Sequence, residues 1–449
     1  MWGKVIWGIA SCSLAVGCGV GPAAAQDLAA GPATVPPPQQ QEESRGDSGI
    51  RLALGYTGEG ATNVRGGLHR DAAYAGQVYL GVDADLGRLA GVDGGTLHLA
   101  VTDRHGSNLS AIAIGNNTSV QEIWGTQNVH LAILTYEQRL LHDRLTVEAG
   151  RSQANLYFLN APVYCQFQTN SACGNPTFIF KVSNFTYFPA SSWMARARLS
   201  LGDTVYAHAG VFEVNPDRRR PGDHGIAFGT GGATGVVIPY ELGIAADGAS
   251  VRRPHHYAIG GWLDHADYDD PLRDDQGGIA ITSGRPVAIR HGRSGWFARF
   301  DQMLTRPDST SLRGLTLFGV AMTNIEGRTS ETHFLELGLS YAGLLPGRER
   351  DTLGFVINDQ RFSDLALGAM RAARRTTGGS AEVSRHQYMM ELDYGAQLGP
   401  AVRLSPNLQY IVHPDQSGAP FRPRDIPDAL VLGLKFTVDA PAWLVRPAR

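Results

Sequence analysis

The residues of this chain best suited to chemistry are charged side chains set two positions apart. Arg196 and Arg198, Arg299 and Asp301, and Glu391 and Asp393 form such pairs, and Glu148, Glu336 and Arg403 stand singly in the same texture. A spacing of two puts both members of a pair on one face of an extended chain. Both signs are present, so a surface made from them carries little net field yet offers many charge-assisted hydrogen bonds. Such a surface can replace the hydration of a neutral, hydroxyl-rich solute, whereas a ring of one sign would favour ions of the other. Gln409 and Lys435 belong to the same faces.

Bond-breaking chemistry has thinner support. The chain has no HExxH, no G-x-S-x-G and no Walker motif, and GTGGATG (229–235) lacks the Gly-Lys-Ser/Thr ending that binds phosphate. His255 and His256 with Asp264, His265, Asp267, Asp269 and Asp270 read as an acidic, solvated loop rather than a metal site, although weak calcium bridging to lipopolysaccharide would use the same residues. No cofactor and no metal are expected.

The elements that must position these side chains are strands. In ALVLGLKFTV (429–438), Leu430, Leu432, Leu434 and Phe436 fall on one side, and Val431, Gly433, Lys435 and Thr437 on the other. Leu335, Leu337, Leu339 and Tyr341 alternate in the same way with Glu336, Gly338 and Ser340, as do Tyr388, Met390, Leu392 and Tyr394 with Met389, Glu391, Asp393 and Gly395. In a soluble sandwich the apolar face would be the core. In an outer-membrane barrel it meets lipid, and the charged face lines an aqueous lumen. A one-residue slip in any strand would exchange its faces.

Two other features choose between these readings. Residues 1–25 pair Lys4 with an apolar run and end in Ala23-Ala24-Ala25, which predicts a cleaved secretory signal. Lipidation at Cys12 or Cys18 is the weaker alternative. Residues 26–49 are rich in Pro, Gln and Ser and read as a disordered leader. Residues 50–438 then carry about sixteen strands, with short turns alternating with long connections, and residues 439–449 form a short periplasmic tail. Segregated loop lengths and an even strand count fit an all-β, membrane-spanning antiparallel barrel with short periplasmic turns and long extracellular loops. Pro239 in VVIPYELGIA suits an edge or a bulge.

Composition agrees. Charged residues make up 18%, against roughly 25% in an ordinary soluble domain, and the chain has 55 glycines. A net charge of −3 gives no support to nucleic-acid binding. After the signal only Cys165 and Cys173 remain, which in an exported chain reads as a disulfide stiffening a long loop, with a contribution of about 2–3 kcal/mol at most. Trp193, Trp296, Tyr388, Tyr394, Tyr410 and Phe436 are placed for aromatic girdles, while Tyr157, Phe158, Tyr164 and Phe167 belong to a long loop that can fold into the pore and stack on sugar faces.

Several segments together resemble the carbohydrate-selective porins of the OprB type: GRSQANLYFLNAPVYCQFQTNSACGNP (150–176), YAHAGVFEVNP (206–216), GWFARFDQMLTRP (295–307), GLTLFG (314–319), DTLGFVINDQRFSD (351–364) and LSPNLQYIVHPDQ with DALVLGLKF (404–436). The resemblance runs from about Gly106 to Phe436. It implies a sixteen-stranded outer-membrane channel passing small neutral sugars by diffusion. Outer-membrane lipid, lipopolysaccharide and the barrel-assembly machinery would be its partners, with oligomerisation left open. Barrels of this kind usually end on an aromatic residue, whereas TVDAPAWLVRPAR follows Phe436 here. The rival readings are a general non-selective porin, a hydrolase or adhesin on the same barrel, and a soluble β-rich sugar-binding protein.

Overall fold

The computed structural model describes residues 49–439, apart from residues 174, 248–250, 309–310 and 381. The readings for the export signal, the leader up to residue 48 and the tail from residue 440 lie outside these residues. Sixteen antiparallel strands close into one barrel: β1 (Ile50–Arg65), β2 (Asp71–Asp85), β3 (Gly95–Gly106), β4 (Val129–Leu140), β5 (Leu145–Ser152), β6 (Ser192–Ser200), β7 (Val205–Val214), β8 (Gly235–Ala246), β9 (His255–Asp274), β10 (Val287–Thr305), β11 (Gly314–Glu326), β12 (Glu331–Ala342), β13 (Thr352–Phe362), β14 (His386–Gln397), β15 (Val402–Val412) and β16 (Ala429–Asp439). Each strand pairs with its sequence neighbours, and β16 closes on β1. Closure leaves no unpaired sheet edge, which hydrocarbon would not tolerate. Short helices occupy four connections: α1 (Leu86–Ala90), α2 (Phe178–Val182), α3 (Ala280–Ser283) and α4 (Asp364–Thr376).

The alternation is turned inside out, as in a lipid-facing barrel. On β12, Leu335, Leu337 and Leu339 are exposed while Glu336 and Ser340 are buried. On β16, Leu432 and Leu434 are exposed while Val431 and Lys435 are buried.

The connections differ from the sequence reading in three places. The acidic stretch after Leu263 is not a solvated loop but the upper half of a long β9–β10 hairpin. Cross-strand cations make that extension feasible: Arg293 meets Asp264 at 2.8 Å, and Arg290 and Arg328 meet Asp270 at 2.9 and 2.5 Å. Pro239 lies within β8, paired with Trp262 of β9, and the β7–β8 register is interrupted beside it, between Tyr240 and Val237. A closed barrel has no edge to give it, so the missing N–H is accommodated by that local break. Residues 361–385, expected as a long connection, begin with the end of β13 and contain α4, whose Ser363 side chain caps the Ala366 amide and which buries Ala366, Leu367, Met370 and Ala373.

Two long connections turn into the lumen, L2 (residues 107–128) and L3 (residues 153–191). The reason lies in their composition. L3 carries Phe158, Phe178, Phe180 and Phe185, and the upper lumen wall offers Phe212, Trp262, Phe297 and Phe334, all in one buried cluster. Burying one such ring is favourable by roughly 1.5–3 kcal/mol. The inner face of the barrel is therefore apolar where these L3 rings pack.

Candidate functional site

The charged wall runs over β4 to β10. Glu148 and Arg196 are direct register partners on β5 and β6. Arg196 donates through Nε to Glu148 Oε2 at 2.8 Å and through a terminal nitrogen to Glu137 at 3.1 Å. Thr135 and Tyr157 both donate to Glu148 Oε1, at 2.6 and 2.8 Å. The guanidinium groups of Arg196 and Arg198 lie over the rings of Tyr157 and Tyr206, each at 4.2 Å from the centroid. Tyr206 donates to Glu241 Oε1 at 2.9 Å and receives Arg299 at 3.3 Å, and His256 contacts Asp301 at 2.7 Å. The array mixes both signs. Glu241 Oε2, Arg299 Nε, Asp301 Oδ1 and His208 Nε2 are buried without a hydrogen-bond partner among the described residues, while the Arg198 and Arg299 side chains keep partial exposure to the lumen.

A second group of charges grips L3. Lys435 donates to the carbonyls of Cys165 and Phe167 at 3.2 and 2.9 Å. Glu391 accepts the amides of Gln168 and Thr169 at 2.8 and 2.6 Å. Gln166 bridges Ser340, at 2.7 Å, and Asp393, at 3.3 Å. L2 is held beside it, with Glu59 accepting the Ile123 amide at 3.1 Å and Lys435 3.5 Å from Glu59. The nine expected lumen residues thus divide. Glu148, Arg196, Arg198, Arg299 and Asp301 form one connected wall. Glu391 and Asp393 hold L3. Glu336 is 5% exposed, with neither carboxylate oxygen bonded among the described residues. Arg403 stands apart, donating to Thr352 and, at 3.3 Å, to the Arg350 carbonyl by a short turn.

A model of the carbohydrate-selective porin, OprB family matches residues 69–439. The chain belongs to this family. Porin B of Pseudomonas aeruginosa is 28% identical over 405 residues, covering 87% of each chain. The high-pH structure of Pseudomonas putida OprB superposes with a TM-score of 0.78 at 27% identity, covering 88% of this chain and 94% of that one. The low-pH structure, at 22% identity and a TM-score of 0.53, shares the fold. The lumen described above is therefore that of an outer-membrane sugar porin.

In this porin the expected disulfide is absent. Cys165 and Cys173 are not bonded to each other, and the Cys173 sulfur sits 3.6 Å from the Lys435 ammonium. The Lys435 and Glu391 contacts already fix that stretch of backbone. Of the loop aromatics, Phe158, Tyr164 and Phe167 do enter the barrel but are buried against its wall, and Tyr157 alone of the four keeps partial exposure.

The sequence reading did not single out Glu241, Tyr206, His208 or Lys181. Glu241 shares the face of Pro239 in VVIPYELGIA, so strand parity would have found it. Lys181 is the one cation in the apolar run FIFKV, which is the mark of a buried ion pair. It meets Asp415 at 2.8 Å and Glu331 at 3.0 Å, joining L3 to the connection between β15 and β16 and to β12.

Proposed function

We propose that this porin passes monosaccharides and similar small polar solutes by passive, selective diffusion. The selective wall is Glu148, Arg196, Arg198, Arg299 and Asp301, faced by the partly exposed stretch of L3. The observation that carries this reading is the mixed-sign array, in which Arg198 and Arg299 keep partial exposure. A neutral hydroxylated solute can exchange water for these groups at little cost, whereas an ion of either sign meets its own sign within a few ångströms. Transit down the solute's own gradient needs no energy coupling, and weak contacts that form and break quickly keep it fast.

The sequence adds three further proposals. A signal ending at Ala25 leads the chain to the periplasm, the barrel-assembly machinery inserts it with Phe436 as the terminal aromatic cue, and lipopolysaccharide surrounds its outer rim. Liposome swelling with refolded protein tests the central claim, using glucose, a disaccharide and a charged solute of glucose size. Faster swelling in glucose than in the equally small charged solute supports a sugar-selective wall. Equal rates for both would leave a general porin.

A further inference from the structure

We propose that residues 157–169 of L3 form a strut along the inner wall of the lumen, fixed at both ends by wall charges, and that Lys435 and Glu391 are positioning residues that set the size cut-off. The proposal rests on the sugar-channel reading above. One end of the strut is at β5, where Tyr157 donates to Glu148 at 2.8 Å and underlies Arg196. The other end is at β14 and β16, where the Lys435 ammonium takes the carbonyls of Cys165 and Phe167 and the Glu391 carboxylate takes the next two amides, those of Gln168 and Thr169. β14 lies nearly opposite β5 in the ring, and between the two ends the segment packs along the inner wall, with Phe158 against His208 and Phe212 of β7, Tyr164 and Phe167 against Phe318 of β11, and Gln166 on Ser340 of β12.

Exposure follows the same division. Tyr157, Asn160, Val163, Cys165 and Gln166 are half-buried and Pro162 is exposed, whereas Phe167 to Cys173 are buried. The partly exposed span is the rim past which a solute must move, and the buried stretch is its anchor. Aromatic packing of Phe158, Phe178 and Phe185 draws L3 into the barrel, but apolar contacts are non-directional and tolerate sliding. A cation on two carbonyls and a carboxylate on two amides are directional and charge-assisted, so they fix where the rim ends. Asn407 adds a bond to Gln168 at 2.8 Å.

The test compares the full chain with Lys435→Met and Glu391→Gln, reading the disaccharide-to-glucose swelling ratio and single-channel conductance. Heat-modifiable gel migration confirms a folded barrel. Release of the anchor should raise the ratio about threefold or more and increase conductance, and Lys435→Arg, which keeps the charge, should return both toward the parent. Folded Lys435→Met and Glu391→Gln channels with the parental ratio and conductance overturn the proposal. If Lys435→Met does not fold, Glu391→Gln, nearly isosteric, decides alone. Loss of discrimination between glucose and the charged solute in the parent would remove the sugar reading, while the size ratio would still report on the strut.

Discussion

Arg196 and Glu148 face each other across the β5–β6 register with a hydrogen bond of 2.8 Å, and the Tyr157 ring closes the pair from the L3 side. Both charges are nearly buried, at 8% and 3% exposure. One contact therefore serves the lumen field and the placement of the loop together.

Replacing Arg196 with Ala leaves Glu148 and Glu137 without their shared counter-charge. Breaking a buried pair from one side costs about 3–5 kcal/mol, and the wall loses one positive charge beside two carboxylates. The reversal potential across a potassium chloride gradient should move toward potassium, and the unfolding midpoint in denaturant should fall. Arg198→Ala should give a selectivity change of the same sign with little loss of stability, because Arg198 stacks on Tyr206 from a half-buried position and such stacking is worth about 0.5–2 kcal/mol. An unchanged reversal potential in both variants would show that neither guanidinium faces the ion path.

Lys181 ties L3 to two other elements, and its loss should be felt as loop release. Burial alone would lower its pKa, but Asp415 and Glu331 outweigh that and hold the ammonium well above its ordinary value. Burial alone would raise Asp415, and the Lys181 charge and hydrogen bond pull it below its ordinary value. The signs follow by linkage. The Asp415 contribution is complete above its ordinary value of 3.8 and is lost as pH falls through the lower folded value. The Lys181 contribution is complete below 10.5 and is lost as pH rises through the higher folded value. Stability from this pair should be flat between those limits. Lys181→Met should make the L3 segment accessible to added protease on intact barrels at neutral pH, and protection equal to that of the parent would count against the tie.

Glu122 in L2 has the opposite sign. Its carboxyl is fully buried, neither oxygen has a bonded partner among the described residues, and desolvation drives its pKa well above 4.5, with Glu59 adding to the effect and Lys435 and Arg104 opposing it. A group whose folded pKa is raised stabilises the fold at low pH, and that contribution is lost as pH rises through the folded value. Glu122→Gln keeps the shape and removes the charge. It should raise the unfolding midpoint at pH 7 and leave it close to the parent at pH 4, read by circular dichroism melts. A lower midpoint at pH 7 would mean that the carboxylate is paired there.

The barrel was legible in the sequence because lipid enforces a strict period of two, as in Leu335 against Glu336 and Leu434 against Lys435. Parity also placed Arg196, Arg198, Arg299 and Asp301 on the inner face. Parity carries no information about depth or cover, which is why Glu391 looked like pore lining although it grips a loop 222 residues distant in sequence. The disulfide expectation failed for a related reason. Spacing suggested a staple between Cys165 and Cys173, but the staple is Lys435, 268 residues beyond Phe167. The acidic run from Asp264 to Asp270 was misread because its cations arrive from later in the chain, Arg290 and Arg293 from β10 and Arg328 from the turn between β11 and β12.

Gly338 links wall packing to the same loop. It faces the lumen on β12, paired with Phe318 of β11, and a Cβ there would lie 2.1 Å from the Phe318 ring. That ring in turn meets Tyr164 and Phe167 of L3, each with centroids 5.8 Å away. Gly338→Ala must push Phe318 out of its place over the strand and so unseat the two loop rings, at about 1–3 kcal/mol for an overpacked site. The unfolding midpoint should drop and the disaccharide-to-glucose swelling ratio should rise together. Gly202→Ala, at a turn where an added Cβ meets nothing within 4 Å, serves as the control and should change neither. Pairing Gly338→Ala with Phe318→Leu removes the clash as well as the ring. That double variant should therefore recover part of the stability while the swelling ratio stays raised, because the loop rings still lack their support. A ratio restored by the double variant would place the effect in strain on the barrel wall and not in the seating of L3.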